Sequence, residues 1–241
     1  MSLNREFEST GNWLFKYRSF LPLFIIPFLF YLLSNSISEE LECILLYSGI
    51  IISFLGEGIR IFTVAYTPAA TSGRNTKQQL ADTLNTTGIY SLLRHPLYLG
   101  NFFMFLGPFI FTGNILGISI FILIFCLYYE RIMYAEEAFL IRKFENEYSE
   151  WASDTPAFIP KISAYLPANS KFSFQKVMER EYSGLCAVIV IFTLMVGFRN
   201  FNANNHPILS DSWKLLFSLN ALLYILLRSL KKIRRYKLSK R

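Results

Sequence analysis

Histidine, cysteine and charge are all scarce in this chain, and each scarcity excludes something. Two of the 241 residues are histidine and three are cysteine; Cys43, Cys126 and Cys186 all lie in or beside apolar segments. No Cys-x-x-Cys spacing occurs. Neither a disulfide framework nor a zinc site is therefore expected, and the reading contains no metal. Charged residues make up 17% of the chain against 53% hydrophobic, with a mean hydropathy of +0.34. A soluble domain of this length does not normally carry apolar runs so unbroken by charge. A bilayer core takes about 20 mostly apolar residues per helix. The net charge of +7 is gathered into particular loops. That makes it a signal of membrane topology and does not point to a nucleic-acid partner.

What is present reads as a series of spans. Residues 1–18 are polar, with Trp13, Phe15 and Tyr17 interleaved with Lys16 and Arg18, a mixture suited to the membrane–water interface. Apolar segments follow at about 20–33, 44–66, 97–111, 115–129, 185–198 and 215–227. The expected fold is all-α, a polytopic transmembrane helical bundle of about six spans, the first an uncleaved anchor. Thr112-Gly113-Asn114 is a tight turn that makes a hairpin of the third and fourth spans. No helix breaker stands between Ile118 and Trp151, so the fourth span should leave the bilayer as one long helix. Phe172, Phe174, Val177 and Met178 among basic residues read as an interfacial helix, and 199–212 as the link between the last two spans. With six spans, 21 of the 24 Lys and Arg fall on one side. The positive-inside rule puts both termini, and the regions around His95 and Glu136, in the cytoplasm.

Chemistry collects at a few places. Glu57 and Arg60 lie three residues apart within the second span, on one helix face where they can pair. Ionisable groups inside a span face a protein interior or a water-filled site, which leaves both a structural and a functional reading open. The loop 67–93 contains Thr71-Ser72-Gly73-Arg74-Asn75-Thr76, a set that can hold a phosphate or carboxylate through a basic side chain and backbone N–H groups. In Arg94-His95-Pro96-Leu97-Tyr98-Leu99-Gly100, proline suits the first turn of a helix and pushes the residue before it out of helical geometry. Arg94 and His95 should therefore cap a helix at its unpaired N–H groups, where anionic groups are favoured. The second cluster is Glu130/Arg131/Glu136/Glu137. Both clusters lie at the ends of the same hairpin and are suited to a charged cofactor. By composition alone they do not separate a transferase from a lipid-binding protein.

The first motif, Gly88-x-Tyr90-x-x-x-Arg94-His95-Pro96-x-Tyr98-x-Gly100, is followed by Glu136-Glu137-x-x-Leu140-x-x-x-Phe144-x-x-x-Tyr148-x-x-Trp151 and then Phe158-Ile159-Pro160. In order and separation the two resemble the motifs of the membrane methyltransferase superfamily that contains isoprenylcysteine carboxyl methyltransferases and phospholipid N-methyltransferases. The resemblance implies a single membrane domain over 1–241. Its family-like core would be 45–162, with an extra C-terminal hairpin at 183–228 and a basic tail at 229–241. It implies S-adenosylmethionine held by Tyr90, His95, Pro96, Tyr98, Leu99, Gly100, Glu136 and Glu137, and catalytic roles for Arg94, Arg131 and Glu136. Arg131 would hold an anionic acceptor. Two positions depart from the pattern: Arg131 stands five rather than four residues before Glu136, and Glu145 stands where a glycine often follows the phenylalanine.

The loop 71–76 and the run 84–88 look like a bacterial subgroup that includes lipid A phosphate methyltransferase. That implies a bacterial inner-membrane enzyme acting on a phosphate oxygen of a lipid headgroup, with Arg60, Arg74 and Asn75 as headgroup contacts. A prenylated cysteine carboxylate is the alternative acceptor. A phospholipid amine comes third, because arginines oppose an approaching ammonium group. A non-catalytic sensor on the same scaffold is the reading from another class, and it would not bind S-adenosylmethionine.

Overall fold

The computed structural model describes residues 2–34, 37–68, 81–204 and 209–239. Among these the regular secondary structure is α-helical, with short 3-10 turns and one isolated bridge between Gly88 and Leu166. The helices are α1 (Leu3–Tyr17), α2 (Ile25–Leu32), α3 (Glu39–Tyr66), α4 (Pro96–Thr112), α5 (Ile115–Asp154), α6 (Phe174–Arg180), α7 (Tyr182–Asn204) and α8 (Asp211–Ser239). Helices α3, α5, α7 and α8 are long and apolar enough to cross a membrane, and α4 is an apolar helix of 17 residues. The architecture is an all-α polytopic membrane bundle.

The first apolar segment does not form one long helix. Pro27 lacks the N–H that would reach back to Leu23, and the segment divides into a 3-10 turn, Leu21–Phe24, and the short α2. The expected unbroken fourth span also needs correction. Helix α5 runs 40 residues but kinks at Glu145, whose φ of 47° and ψ of −115° lie in a region that favours glycine. This is the position where the motif often carries glycine. The last two spans differ at their boundary too. Arg199, read as a link residue, lies inside α7.

Helices α3 and α4 run antiparallel with their backbones almost touching. A Cβ on Gly49 would collide with the Gly107 carbonyl, and one on Gly56 with the Gly100 carbonyl. In lipid, where burial of apolar surface gives little drive, small residues that admit such close approach hold helices together. The contact also repairs a defect in α4. Pro108 has no N–H for the carbonyl of Met104, four residues earlier, and the Ser53 hydroxyl of α3 donates to that oxygen at 3.0 Å.

Aromatic layers join α4 to α5: Phe109 stacks on Phe121 at 4.5 Å, and Phe102 meets Phe125 edge-on at 5.1 Å. Helix α1, read from the sequence only as an interfacial segment, lies along the far part of α5. There Arg142 pairs with Glu8 at 2.7 Å and Tyr134 meets Phe7. At the opposite end of the bundle, buried Arg199 of α7 donates to the carbonyl of Phe111 at 3.2 Å and stands 3.7 Å from the Glu42 carboxylate of α3. It caps the C-terminal end of α4, where unpaired carbonyls favour a cation.

Two stability changes follow. Glu145→Gly should raise the free energy of unfolding in detergent micelles by about 1 kcal/mol, because it relieves a backbone conformation costly for any residue with a Cβ. Arg199→Met should lower it by about 3 kcal/mol, since it strands the Phe111 and Thr112 carbonyls, both of which accept from Arg199 Nη2, and the Glu42 charge. Thermal and denaturant unfolding of the purified variants checks both.

Candidate active site

The site is built on the stretch that enters α4. Backbone bonds tie this stretch to the chain that follows α5. The Arg94 N–H donates to the Pro156 carbonyl at 2.9 Å, the His95 N–H to Ala157 at 3.1 Å, and the Lys161 N–H to Leu92 at 2.9 Å. Further along, the Gly88 N–H donates to the Leu166 carbonyl, and the Leu166 N–H donates to the Ser91 hydroxyl, each at 2.9 Å. His95 is the N-cap of α4 with Pro96 next to it, and its carbonyl accepts from the Tyr98 and Leu99 N–H groups at 3.1 and 3.2 Å. One helical turn then puts Tyr98 beside His95, their rings stacked with centroids 5.6 Å apart.

Onto this face α5 brings its paired carboxylates. Glu137 Oε1 is 2.9 Å from His95 Nε2 and 3.1 Å from Arg94 Nε. Glu136 Oε2 is 3.5 Å from His95 Nδ1, and Glu136 Oε1 accepts from the Tyr98 hydroxyl at 2.7 Å. Arg94 is fixed further by donation from Nη1 to the Ala152 carbonyl at 3.0 Å. The imidazole is 5% exposed, while the two carboxylate side chains are 25% and 22% exposed, so the acids form the open wall. Burial of His95 opposes its charged form, but the hydrogen bonds and charges of Glu136 and Glu137 outweigh this. Its pKa is raised above the ordinary 6.5.

A second polar chain runs from this cluster to α3. The Tyr98 ring lies 4.7 Å from that of Tyr129. The Tyr129 hydroxyl accepts from Asn101 Nδ2 at 3.0 Å, and Asn101 Oδ1 accepts from Arg60 Nη1 at 2.6 Å. Arg60 Nε and Nη2 both reach Glu181 Oε2, at 2.9 and 2.8 Å. The expected Glu57–Arg60 pairing is thus replaced by a pair with Glu181, while the Glu57 carboxylate lies against Gly184 of α7.

Of the residues expected at the site, Arg94, His95, Tyr98, Glu136 and Glu137 come together, and Arg60 joins them through Asn101 and Tyr129. Pro96 is buried in the first turn of α4, Leu99 is half-buried one turn on, and Tyr90 lies in the 3-10 turn Ile89–Ser91. Gly100 faces α3, beneath the aliphatic stem of Arg60. Arg131 is placed elsewhere. Its guanidinium sits 3.3 Å over the Phe7 ring of α1, because five residues of helix turn it away from the Glu136 face. Arg74 and Asn75 lie outside the described residues. Sequence reasoning missed Asn101, Tyr129 and Glu181, and also Arg18, whose charge reaches Tyr98 and Tyr129. A polar Asn101 inside an apolar span was the available signal.

A polytopic helical protein with paired carboxylates, a histidine and tyrosines at the helix ends defines the class: a membrane protein with a site suited to a cationic small molecule. Residues 46–147 match the phospholipid methyltransferase family. The cobalt-zinc-cadmium resistance protein CzcN of Cupriavidus metallidurans is 40% identical over 84 residues, 35% of this chain and 38% of that protein. The protein-S-isoprenylcysteine O-methyltransferase of Saccharomyces cerevisiae is 33% identical over 132 residues, 54% of this chain and 53% of that enzyme. The Schizosaccharomyces pombe protein of the same name is 34% identical over 79 residues, 33% and 34% of the two chains. The chain therefore spans between a third and about half the length of these relatives. No solved structure matches. Residues 46–147 are thus similar both to the phospholipid methyltransferase family and, over overlapping parts of the chain, to isoprenylcysteine methyltransferases.

A histidine whose folded pKa lies above its unfolded value stabilises fully below the unfolded value, and this stability is lost as pH rises through the folded one. The melting temperature of the parent protein should therefore exceed that of His95→Gln most at or below about pH 6.5. The gap should close as the pH is raised past the elevated His95 pKa, as followed by thermal unfolding across a pH series.

Proposed function

We propose that the protein transfers a methyl group from S-adenosylmethionine to an anionic oxygen on a membrane-embedded lipid or lipidated acceptor. The observation that carries this reading is the joining of the two motif halves, His95 to Glu137 and Tyr98 to Glu136, in one cluster with an open acidic wall. The donor set fits the cofactor. Glu136 and Glu137 are suited to its ammonium group, and the faces of Tyr98 and Tyr129 to a sulfonium through cation–π attraction. When bound, S-adenosylmethionine supplies an electrophilic methyl group.

The protein's part is positional. Arg94 and His95 hold the Glu137 carboxylate, and Tyr98 holds that of Glu136, so the cationic ligand meets fixed groups. Arg60, joined to the cluster through Asn101 and Tyr129, holds the acceptor's negative oxygen. An oxygen that is already anionic needs no base. The same guanidinium disfavours an amine acceptor arriving as an ammonium.

Within this reading the favoured acceptor is a phosphate oxygen of lipid A or a similar headgroup, supported by the resemblance of loop 71–76. The names of the two yeast relatives favour a prenylated cysteine carboxylate as the second reading. The charge asymmetry supports a cytoplasmic site with both termini on that side, and the loop resemblance supports a bacterial inner membrane. The whole chain reads as one domain, its core at 45–162 extended by the hairpin 183–228 and the tail 229–241.

Glu137→Ala and His95→Ala should each weaken S-adenosylmethionine binding at least tenfold by calorimetry while leaving the far-ultraviolet helical signal intact. Normal affinity in both would remove the assigned pocket. Incubation of the purified protein with methyl-labelled S-adenosylmethionine and membranes from its own cells then tests the acceptor. Label in a lipid through a phosphate ester supports phosphate methylation, whereas base-labile label on a small prenylated protein supports the carboxylate. No label together with no cofactor binding overturns the methyltransferase reading.

A further inference from the structure

A guanidinium inside an apolar helix requires an anion beside it. Arg60, in the last turns of α3 with its side chain 17% exposed, finds one in Glu181, whose side chain is 4% exposed. The two residues come from different parts of the chain. Arg60 lies in the segment that matches the methyltransferase family, whereas Glu181 lies beyond it, in the break between α6 and α7. Both Arg60 Nε and Nη2 converge on a single carboxylate oxygen of Glu181, and Nη1 is held by Asn101. The arrangement is a preformed oxyanion subsite: two converging donors on a guanidinium oriented from behind.

The Glu181 carboxylate is not what docks the C-terminal hairpin on α3. The Ser173 N–H donates to the Ala65 carbonyl at 3.0 Å, Lys176 Nζ donates to the Thr67 carbonyl at 2.8 Å, and Phe172 meets Tyr66 edge-on at 5.6 Å. These contacts close the C-terminal end of α3, so the docking of the hairpin does not rest on the Glu181 carboxylate alone. Further along α7, Arg199 anchors the hairpin a second time at the other end of the bundle. On the opposite side, Asn101 and Tyr129 lead directly to Tyr98 and Glu136. The subsite is thus joined, through packed side chains, to the cluster that holds the methyl donor under the reading above.

We infer that Arg60 and Asn101 form the subsite for the acceptor's oxyanion, that Glu181 occupies it in the acceptor-free protein, and that a membrane-borne phosphate or carboxylate binds by displacing this carboxylate. The inference rests on the proposed methyl transfer for the word acceptor. Its physical content is anion exchange on Arg60. Glu181 keeps the buried guanidinium paired between turnovers and sets a threshold that a weakly held anion does not pass.

The test measures binding by calorimetry on the full chain in neutral detergent micelles, without S-adenosylmethionine. The probes are dioctanoyl phosphatidic acid, N-acetyl-S-farnesylcysteine and inorganic phosphate. Glu181→Gln should bind at least one of the two lipid probes tenfold or more tightly than the parent protein. Arg60→Gln/Glu181→Gln, a neutral pair of similar shape, should fold and lose that gain. Equal or weaker binding of both lipid probes by Glu181→Gln overturns the inference and leaves a structural ion pair. Inorganic phosphate bound as tightly as the lipids also overturns it, since the site then takes a soluble anion. If Glu181→Gln fails to fold, Glu181→Asp, which retracts the carboxylate by one methylene, should show a smaller gain, and no gain is again fatal. A lipid gain without methyl transfer would sink the enzymatic reading alone, whereas methyl transfer without the gain would sink the subsite alone.

Discussion

Backbone contact between α3 and α4 is the constraint on which the site depends. Gly49 meets Gly107 and Gly56 meets Gly100, two pairs seven residues apart on each helix, so the helices touch on the same face two turns apart. No side chain separates them there, and van der Waals attraction between backbones replaces the hydrophobic effect that lipid does not supply. The closeness has a chemical result. Arg60 lays its stem over Gly100 of α4 and meets the neighbouring Asn101. A larger residue at position 100 would lift α3 away and carry the guanidinium with it.

Charge at the other end of the network is balanced locally. Glu137 is shared between His95 and Arg94, while Glu136 is shared between His95 and Tyr98. The imidazole therefore works as a spacer, holding two carboxylates that would otherwise repel each other. The acids, at 25% and 22% exposed, are more accessible than the imidazole between them. The aromatic rings of Tyr98, Tyr129 and Phe125 lie beneath, Phe125 stacked on Tyr129 at 4.2 Å.

Much of this arrangement was legible in the sequence, and the failures have physical causes. The helical class followed from apolar run length, and the His95, Tyr98, Glu136 and Glu137 cluster from two motifs at the ends of one hairpin. The cap at His95 followed from Pro96. Local periodicity does not reveal which distant segment supplies a partner, so Arg60 appeared to face Glu57 when its counter-ion comes from the α6–α7 break. The resemblance gave Arg131 a catalytic role, but five residues of helical rotation before Glu136 send it to Phe7. The kink at Glu145 carried no proline or glycine to announce it. The missing glycine was noted, yet its meaning needed the backbone angle. Helix α1 was hidden because its partner surface is the polar part of α5 and not a hydrophobic stripe.

The hydrogen bonds that join 88–95 to 156–166 bear on the order in which the protein is made. Helices α3 and α4 are complete once residue 112 has been synthesised, and their glycine contact needs nothing from later in the chain. His95, in contrast, has its backbone N–H bound by the carbonyl of Ala157, and Leu92 its carbonyl by Lys161. During translation the membrane hairpin can therefore be in place while the end that carries the candidate site is still unsecured. Only after the whole of α5 has left the ribosome does the closing segment become available. Assembly proceeds from scaffold to site, and the latter part of the chain acts as the fastening for a cluster encoded much earlier.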